Sequence, residues 1–108
     1  MIKRPIYTIK QGETLQSVMA VFNDDDTPVD LTPYTVRMQI RLAPEAPLLA
    51  TPDVTKENVN HIRFKVPATE TTNWPAGDVF FDVDLLKDED VYSLVRSGVI
   101  RVIKPIAK

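Results

Sequence analysis

Three segments of this chain alternate between apolar and polar residues, and this period of two limits what the chain can fold into. The segments span residues 34–42, 61–66 and 79–86. Such alternation is typical of a strand with one buried face and one solvated face, as in antiparallel sheets. The side chains predicted to point inward are Val36, Met38, Ile40 and Leu42 in the first segment, Ile62, Phe64 and Val66 in the second, and Val79, Phe81, Val83 and Leu85 in the third.

Four other segments have the composition of strands with a less regular pattern. Residues 5–10, 48–51 and 53–56 predict short strands, and prolines flank the last two, so we place both at a sheet edge. Residues 14–23 are apolar on both faces, which predicts a more central strand or a bulge. About seven short strands separated by polar turns indicate an all-β sandwich. No repeat or linker divides residues 1–108, so we expect a single domain.

The glycines and the single tryptophan are predicted to have structural roles. Gly12 suits a turn with positive φ. Residues 91–104 are too long for one flat strand, so Gly98 is predicted to mark a bulge where the inward-facing set changes phase. Trp74 stands without aromatic neighbours just before Gly77, and we interpret it as a plug that closes one end of the core.

One short helical turn is predicted near residues 69–74. Thr69 is the expected cap at its start, and Pro75 is expected to stop it. The rest of the chain has no pattern with helical period, so helix contributes little to the expected fold.

Composition and charge exclude several classes of protein. The chain of 108 residues has no cysteine, which excludes disulfides, thiolate catalysis and cysteine-rich zinc sites. Its formal net charge of −2 argues against a nucleic-acid binder and against attraction to an anionic membrane. No apolar run approaches the roughly 18 residues of a spanning helix, and no signal peptide is visible. We therefore expect no nucleic acid, membrane or small-molecule substrate as a partner.

The candidates for catalysis or metal binding are few. His61 is the only histidine and begins an alternating segment, so a strand-end position is favoured over a catalytic one. The Asp24–Asp26 run, with Asp30 nearby, offers oxygen ligands for Ca²⁺, but the spacing of a calcium loop is missing. A solvated turn is favoured there, with calcium as the alternative. We predict no catalytic residue, metal or cofactor, and hence no enzyme.

Two aspartates on one strand admit a catalytic and a structural interpretation. Asp82 and Asp84 lie on the same face, whereas glycosidases need carboxylates opposed across a cleft. If the strands at 34–42 and 77–87 are neighbours, Arg37 and Arg41 fall opposite the two aspartates as stabilising cross-strand pairs. The structural interpretation is favoured.

The same polar face carries two apolar residues, Phe80 and Leu86. Two such residues beside an acidic patch are a hint of a subunit contact. The predicted protein-contact face comprises Arg37, Arg41, Phe80, Asp82, Asp84 and Leu86.

Several longer motifs resemble a small family of tailed-phage and prophage structural proteins. The similar runs are 9–15 (IKQGETL), 25–41 (DDTPVDLTPYTVRMQIR), 69–77 (TETTNWPAG), 81–85 (FDVDL) and 94–102 (LVRSGVIRV). The resemblance implies an immunoglobulin-like or baseplate-type sandwich without catalytic residues, located in a phage tail, neck or baseplate. The resemblance also implies assembly in the host bacterial cytoplasm and packing against other virion proteins, with further copies of the same chain as an alternative partner.

A carbohydrate-binding or adhesin-like module is the alternative function, because many sandwiches serve this role and fold alone does not decide. This alternative predicts exposed aromatic side chains in a groove.

Overall fold

The strands pack as two facing sheets with one hydrophobic core between them. The computed structural model describes residues 6–43 and 45–104. In that part there are eight strands, where the sequence predicts about seven. They are β1 (Ile6–Lys10), β2 (Leu15–Ala20), β3 (Thr35–Arg41), β4 (Leu48–Ala50), β5 (Asp53–Glu57), β6 (His61–Val66), β7 (Gly77–Lys87) and β8 (Asp90–Ile103), with one helical turn, α1 (Ala68–Thr71).

The strand order is that of an immunoglobulin-like sandwich. One sheet has the order β1-β8-β7-β3-β4 and the other β2-β6-β5. With β2 to β8 taken as strands B, C, C′, D, E, F and G, these are the two sheets of that fold. The all-β, immunoglobulin-like prediction is confirmed. One pair departs from the predicted antiparallel arrangement, because β1 runs parallel to β8.

Most of the predicted inward-facing side chains form the core. All those from the segments 61–66 and 79–86 are buried. Tyr7 of β1 lies between the sheets, with its ring centroid 5.4 Å from that of Phe64 and 5.7 Å from that of Phe81. Leu42 was expected in the core but is 46% exposed. It follows the end of β3, where a bulge between Ile40 and Arg41 shifts the pairing with β4.

The prediction of a central strand within residues 14–23 is wrong. β2 lies at the edge of the three-stranded sheet and, within the described residues, pairs with β6 alone. Val18 and Phe22 on its outward side are 39% and 45% exposed. Both faces of β2 are therefore apolar although only one of them is buried, and the strand forms an uncharged sheet edge. The predicted edge positions of β4 and β5 are confirmed.

A helical corner closes one end of the sandwich. α1 begins after Pro67, which makes no side-chain capping bond, and Thr69 lies inside the helix, so the predicted Thr69 cap is wrong. The buried Thr71 hydroxyl donates to the carbonyl oxygen of Glu13 at 2.7 Å. Trp74 follows and is 2% exposed, which confirms the predicted plug.

The turn between β1 and β2 is held against this corner. The Gln11 side-chain amide donates to the carbonyl oxygen of Trp74 at 2.7 Å. Gly12 has the predicted positive φ, 82°, and a Cβ at this position would lie 3.2 Å from Thr72 Oγ1. The turn and the corner therefore meet through both hydrogen bonds and close packing.

β8 contains the predicted change of phase, but Gly98 has a different role from the one expected. Val95 faces the core, and after the bulge the inward set is Gly98, Ile100 and Val102. The positive φ belongs to Ser97, at 55°, whose N–H donates to Asp82 Oδ1 at 2.7 Å. A Cβ on Gly98 would lie 2.5 Å from the Phe81 ring. Glycine is needed here because the ring lies against the backbone.

Candidate interaction surfaces

The outer face of the five-stranded sheet carries the residues predicted to contact a partner. β3 and β7 are neighbours, and Arg37 lies directly opposite Asp84, with 2.8 Å between Nη2 and Oδ2. This half of the predicted cross-strand pairing is confirmed. The other half is wrong, because Arg41 lies opposite Phe80 and donates to the carbonyl oxygen of Ala46 at 2.7 Å.

The second aspartate of the face has a structural role in the bulge. Asp82 lies opposite Gln39 in the register of β3 and β7. Its Oδ1 accepts the backbone N–H of Ser97, in a charge-assisted bond that supports the left-handed conformation there. Asp82 and Asp84 thus bond to different partners along one strand and do not oppose each other across a cleft.

Register brings apolar side chains from every strand of this sheet into one line. The line, here called the apolar row, comprises Ile6, Val99, Phe80, the stem of Arg41, and Leu48. Ile6 and Leu48 are 61% and 48% exposed, while Phe80 and Val99 are half-buried. Four strand spacings give the row a length of about 19 Å. Only Phe80 and Arg41 were predicted, because the other members come from strands far apart in sequence.

A second apolar area lies toward the other end of the same face. Leu86 of β7 pairs directly with Val91 of β8, which is 56% exposed. The Arg37–Asp84 ion pair lies between this area and the apolar row. The face therefore combines two apolar areas with a polar middle that contains this ion pair and Asp82.

An aromatic groove of about 480 Å³ lies between the sheets at one edge of the molecule. Its walls include Phe22, Tyr34 and Tyr92, with polar groups from Asn23, Asp24 and Ser93. The rings of Tyr34 and Tyr92 are perpendicular, with centroids 6.1 Å apart. Phe22 and Tyr92 are about half exposed, at 45% and 50%. The sequence pattern did not identify this group, because its three aromatics are separated by long stretches of chain.

The charge of a neighbouring aspartate favours the protonated form of Tyr92 in the groove. The negative charge of Asp90 raises the pKa of Tyr92 above its ordinary value, with smaller contributions from burial and a hydrogen bond to Asp90. Its hydroxyl consequently stays protonated to a higher pH than that of an ordinary tyrosine.

The acidic loop beside this groove is shaped by its own hydrogen bonds. The Asp25 carboxylate accepts the Thr27 hydroxyl at 2.6 Å and the Thr27 N–H at 3.1 Å. These bonds hold the pKa of Asp25 below its usual value. Asp26 has a φ of 69°, as a tight turn requires. Within residues 6–43 and 45–104, no three histidine, cysteine or acidic side chains are grouped to hold a metal ion.

His61 and Trp74 lie where the structural interpretations place them. His61 starts β6, half-buried, opposite Glu57 of β5, and its Nδ1 is buried without a hydrogen-bond partner among the described residues. Trp74 is buried, so its ring presents no platform to a sugar. No described helix is long and apolar enough to cross a membrane.

Fold and surfaces together define an immunoglobulin-like sandwich with two exposed candidate sites, the outer sheet face and the aromatic groove. The chain matches no family model and no curated protein. Among solved structures it is similar to the crystal structure of the ZIG-8–RIG-5 IG1–IG1 heterodimer. That likeness has a TM-score of 0.45 and 10% sequence identity, and covers 94% of this chain and 83% of the other.

Proposed function

We propose that this chain is a non-catalytic phage or prophage structural protein that packs against another virion component through the outer face of its five-stranded sheet. The apolar row is the observation that carries this proposal. Protein interfaces combine an apolar centre with a polar rim. Phe80 and Val99 supply such a centre, with Ile6 and Leu48 at its ends and Arg37–Asp84 beside it. The tailed-phage motifs support the virion as its setting.

Replacement of Phe80 by aspartate is expected to abolish incorporation into particles, because it removes the ring at the centre of the apolar row and puts there a carboxylate that the interface would have to desolvate. Particles induced from the organism that encodes the chain are purified, and the chain is quantified by mass spectrometry. Ile6→Asp, at a 61% exposed position, tests the same row with less risk to folding. Val59→Asp, exposed in the turn between β5 and β6, is the control and should be incorporated normally.

Two outcomes contradict this proposal. The first is absence of the wild-type chain from purified particles. The second is normal incorporation of both Phe80→Asp and Ile6→Asp. Circular dichroism of the isolated variants separates a lost contact from a lost fold.

The aromatic groove supports a second candidate function, the carbohydrate-binding module. That function predicts exposed aromatics in a groove, and Phe22 and Tyr92 line one together with the polar side chains of Asn23 and Ser93. A few placed polar groups among aromatic walls are typical of small-ligand sites.

Titration with maltohexaose and with chitotetraose is expected to shift the ring resonances of Tyr92 in NMR spectra if the groove binds sugars. Tyr92→Ala should remove the response, whereas Val91→Ala on the opposite face of the same strand should retain it. Trp74 fluorescence should stay constant throughout, because the indole is buried. No shift at millimolar concentrations of either sugar would count against this function.

A further inference from the structure

Among the four sheet edges in the described part of the chain, two are protected against the addition of another strand along their length, and a third is protected at one end. β4 has only three residues and lies between Pro47 and Pro52, and β5 carries charged side chains along its length. At the end of β1, the N–H of Lys10 donates to Glu13 Oε1 at 2.8 Å, and its carbonyl accepts the Glu13 N–H at 3.0 Å. These features limit the backbone groups that an incoming strand could use.

β2 lacks every one of these protections. Its sequence, LQSVMA, has no charge and no proline. Backbone groups of successive residues in a strand point alternately to one neighbouring strand and to the other. Val21 N–H donates to the Asn60 carbonyl at 2.8 Å, so the odd-numbered residues of β2 bond toward β6. Gln16, Val18 and Ala20 consequently direct their N–H and C=O groups away from the sheet. No strand in the described part of the chain pairs with that side.

We propose that a second copy of this chain pairs with this edge, β2 against β2, antiparallel about a two-fold axis at Val18. In that register Val18 lies opposite its own equivalent, and Gln16 lies opposite Ala20. All three edge residues then form hydrogen-bonded pairs at once, because each pair joins two outward-directed backbone groups. The two three-stranded sheets become one continuous sheet of six strands.

Self-pairing suits β2 because a two-fold axis places equivalent side chains against one another. β2 brings no charge to that axis. The other edge of the same sheet would behave differently, since pairing of β5 about Thr55 would set Asp53 opposite Glu57, and like charges directly opposed destabilise a sheet. Arg63 of β6 pairs with Val18 in register, and it is ion-paired to Glu57 on the side away from the edge.

A charge-swap experiment tests this dimer. Light scattering during size-exclusion chromatography should show the wild-type mass rise with concentration from 12.2 kDa toward twice that value. Val18→Lys and Val18→Glu should each weaken the dimer about tenfold or more, since each sets like charges together at the axis. An equimolar mixture of the two should recover the dimer, because opposite charges then meet. Thr55→Lys, on the outward side of β5, is the matched control and should dimerise like the wild type.

Hydrogen exchange and the oligomeric state of the variants provide further tests of the β2 dimer. Hydrogen exchange at Gln16, Val18 and Ala20 should slow as the dimer forms. A wild-type chain that stays monomeric at millimolar concentration would overturn the proposal. So would a dimer that Phe80→Asp dissociates and Val18→Lys does not, because the contact would then be the outer face of the other sheet. Unchanged circular dichroism and Trp74 fluorescence confirm that each variant is folded.

Discussion

Replacement of Trp74 by alanine is expected to lower the free energy of unfolding by about 3–5 kcal/mol, the range for deletion of a large aromatic side chain from a core. Trp74 is 2% exposed and closes the end of the sandwich at which α1 meets the turn between β1 and β2. Loss of its ring leaves a cavity where two elements converge, and neither can collapse easily because the Thr71 and Gln11 bonds hold them in place. Typical domains have only about 5–15 kcal/mol of stability, so much of it would be lost.

Urea denaturation followed by far-ultraviolet circular dichroism measures this change without needing the tryptophan signal. Trp74→Phe is the control, and its loss should be clearly smaller because a ring still fills most of the space. A loss below about 1 kcal/mol for Trp74→Ala would show that the corner does not depend on the plug.

Replacement of Gly98 by alanine is expected to cost about 1–3 kcal/mol, the penalty typical of overpacking a core. The added Cβ would lie 2.5 Å from two carbons of the Phe81 ring. That ring is 1% exposed and packed beside Tyr7, so it has little room to move. The same substitution also stabilises the protein slightly, because alanine lowers the conformational entropy of the unfolded chain. This gain is smaller than the packing penalty.

A double-mutant cycle isolates this contact. In a Phe81→Leu background, Gly98→Ala should cost clearly less than in the wild type, because the shorter side chain leaves space for the methyl group. Thermal unfolding followed by circular dichroism gives the four stabilities. Equal costs in both backgrounds would show that the penalty arises from the backbone of β8 and not from the ring.

The fold could be predicted largely from local pattern. Each alternating segment forms a strand with the expected face buried. This follows because only one face of such a strand is apolar, and that face must point inward. The prediction failed where residues that fit the apolar pattern are not buried. β2 is apolar on both faces as a central strand would be, yet it lies at an edge. Leu42 continues the alternation of β3 but falls beyond its last residue.

The candidate sites were harder to predict, because they depend on register between strands distant in sequence. The pairing of Arg37 with Asp84 was expected, but the same register puts Arg41 opposite Phe80. The apolar row needs the alignment of five strands at once, and the aromatic groove needs residues 22, 34 and 92 to meet. A sequence pattern reports which side of a strand is apolar, and it contains no information on which residues of other strands lie beside it.

The parallel pairing of β1 with β8 has a mechanical consequence. Ile6 lies opposite Val99 at one end of the pair, and Lys10 lies opposite Ile103 at the other. Opposed forces applied at Ile6 and Ile103 would therefore slide the two strands past each other along their length. Under such tension the hydrogen bonds between them share the load and must break together, whereas a ladder opened from one end breaks one bond at a time. The domain should accordingly resist stretching between these two points better than its size suggests.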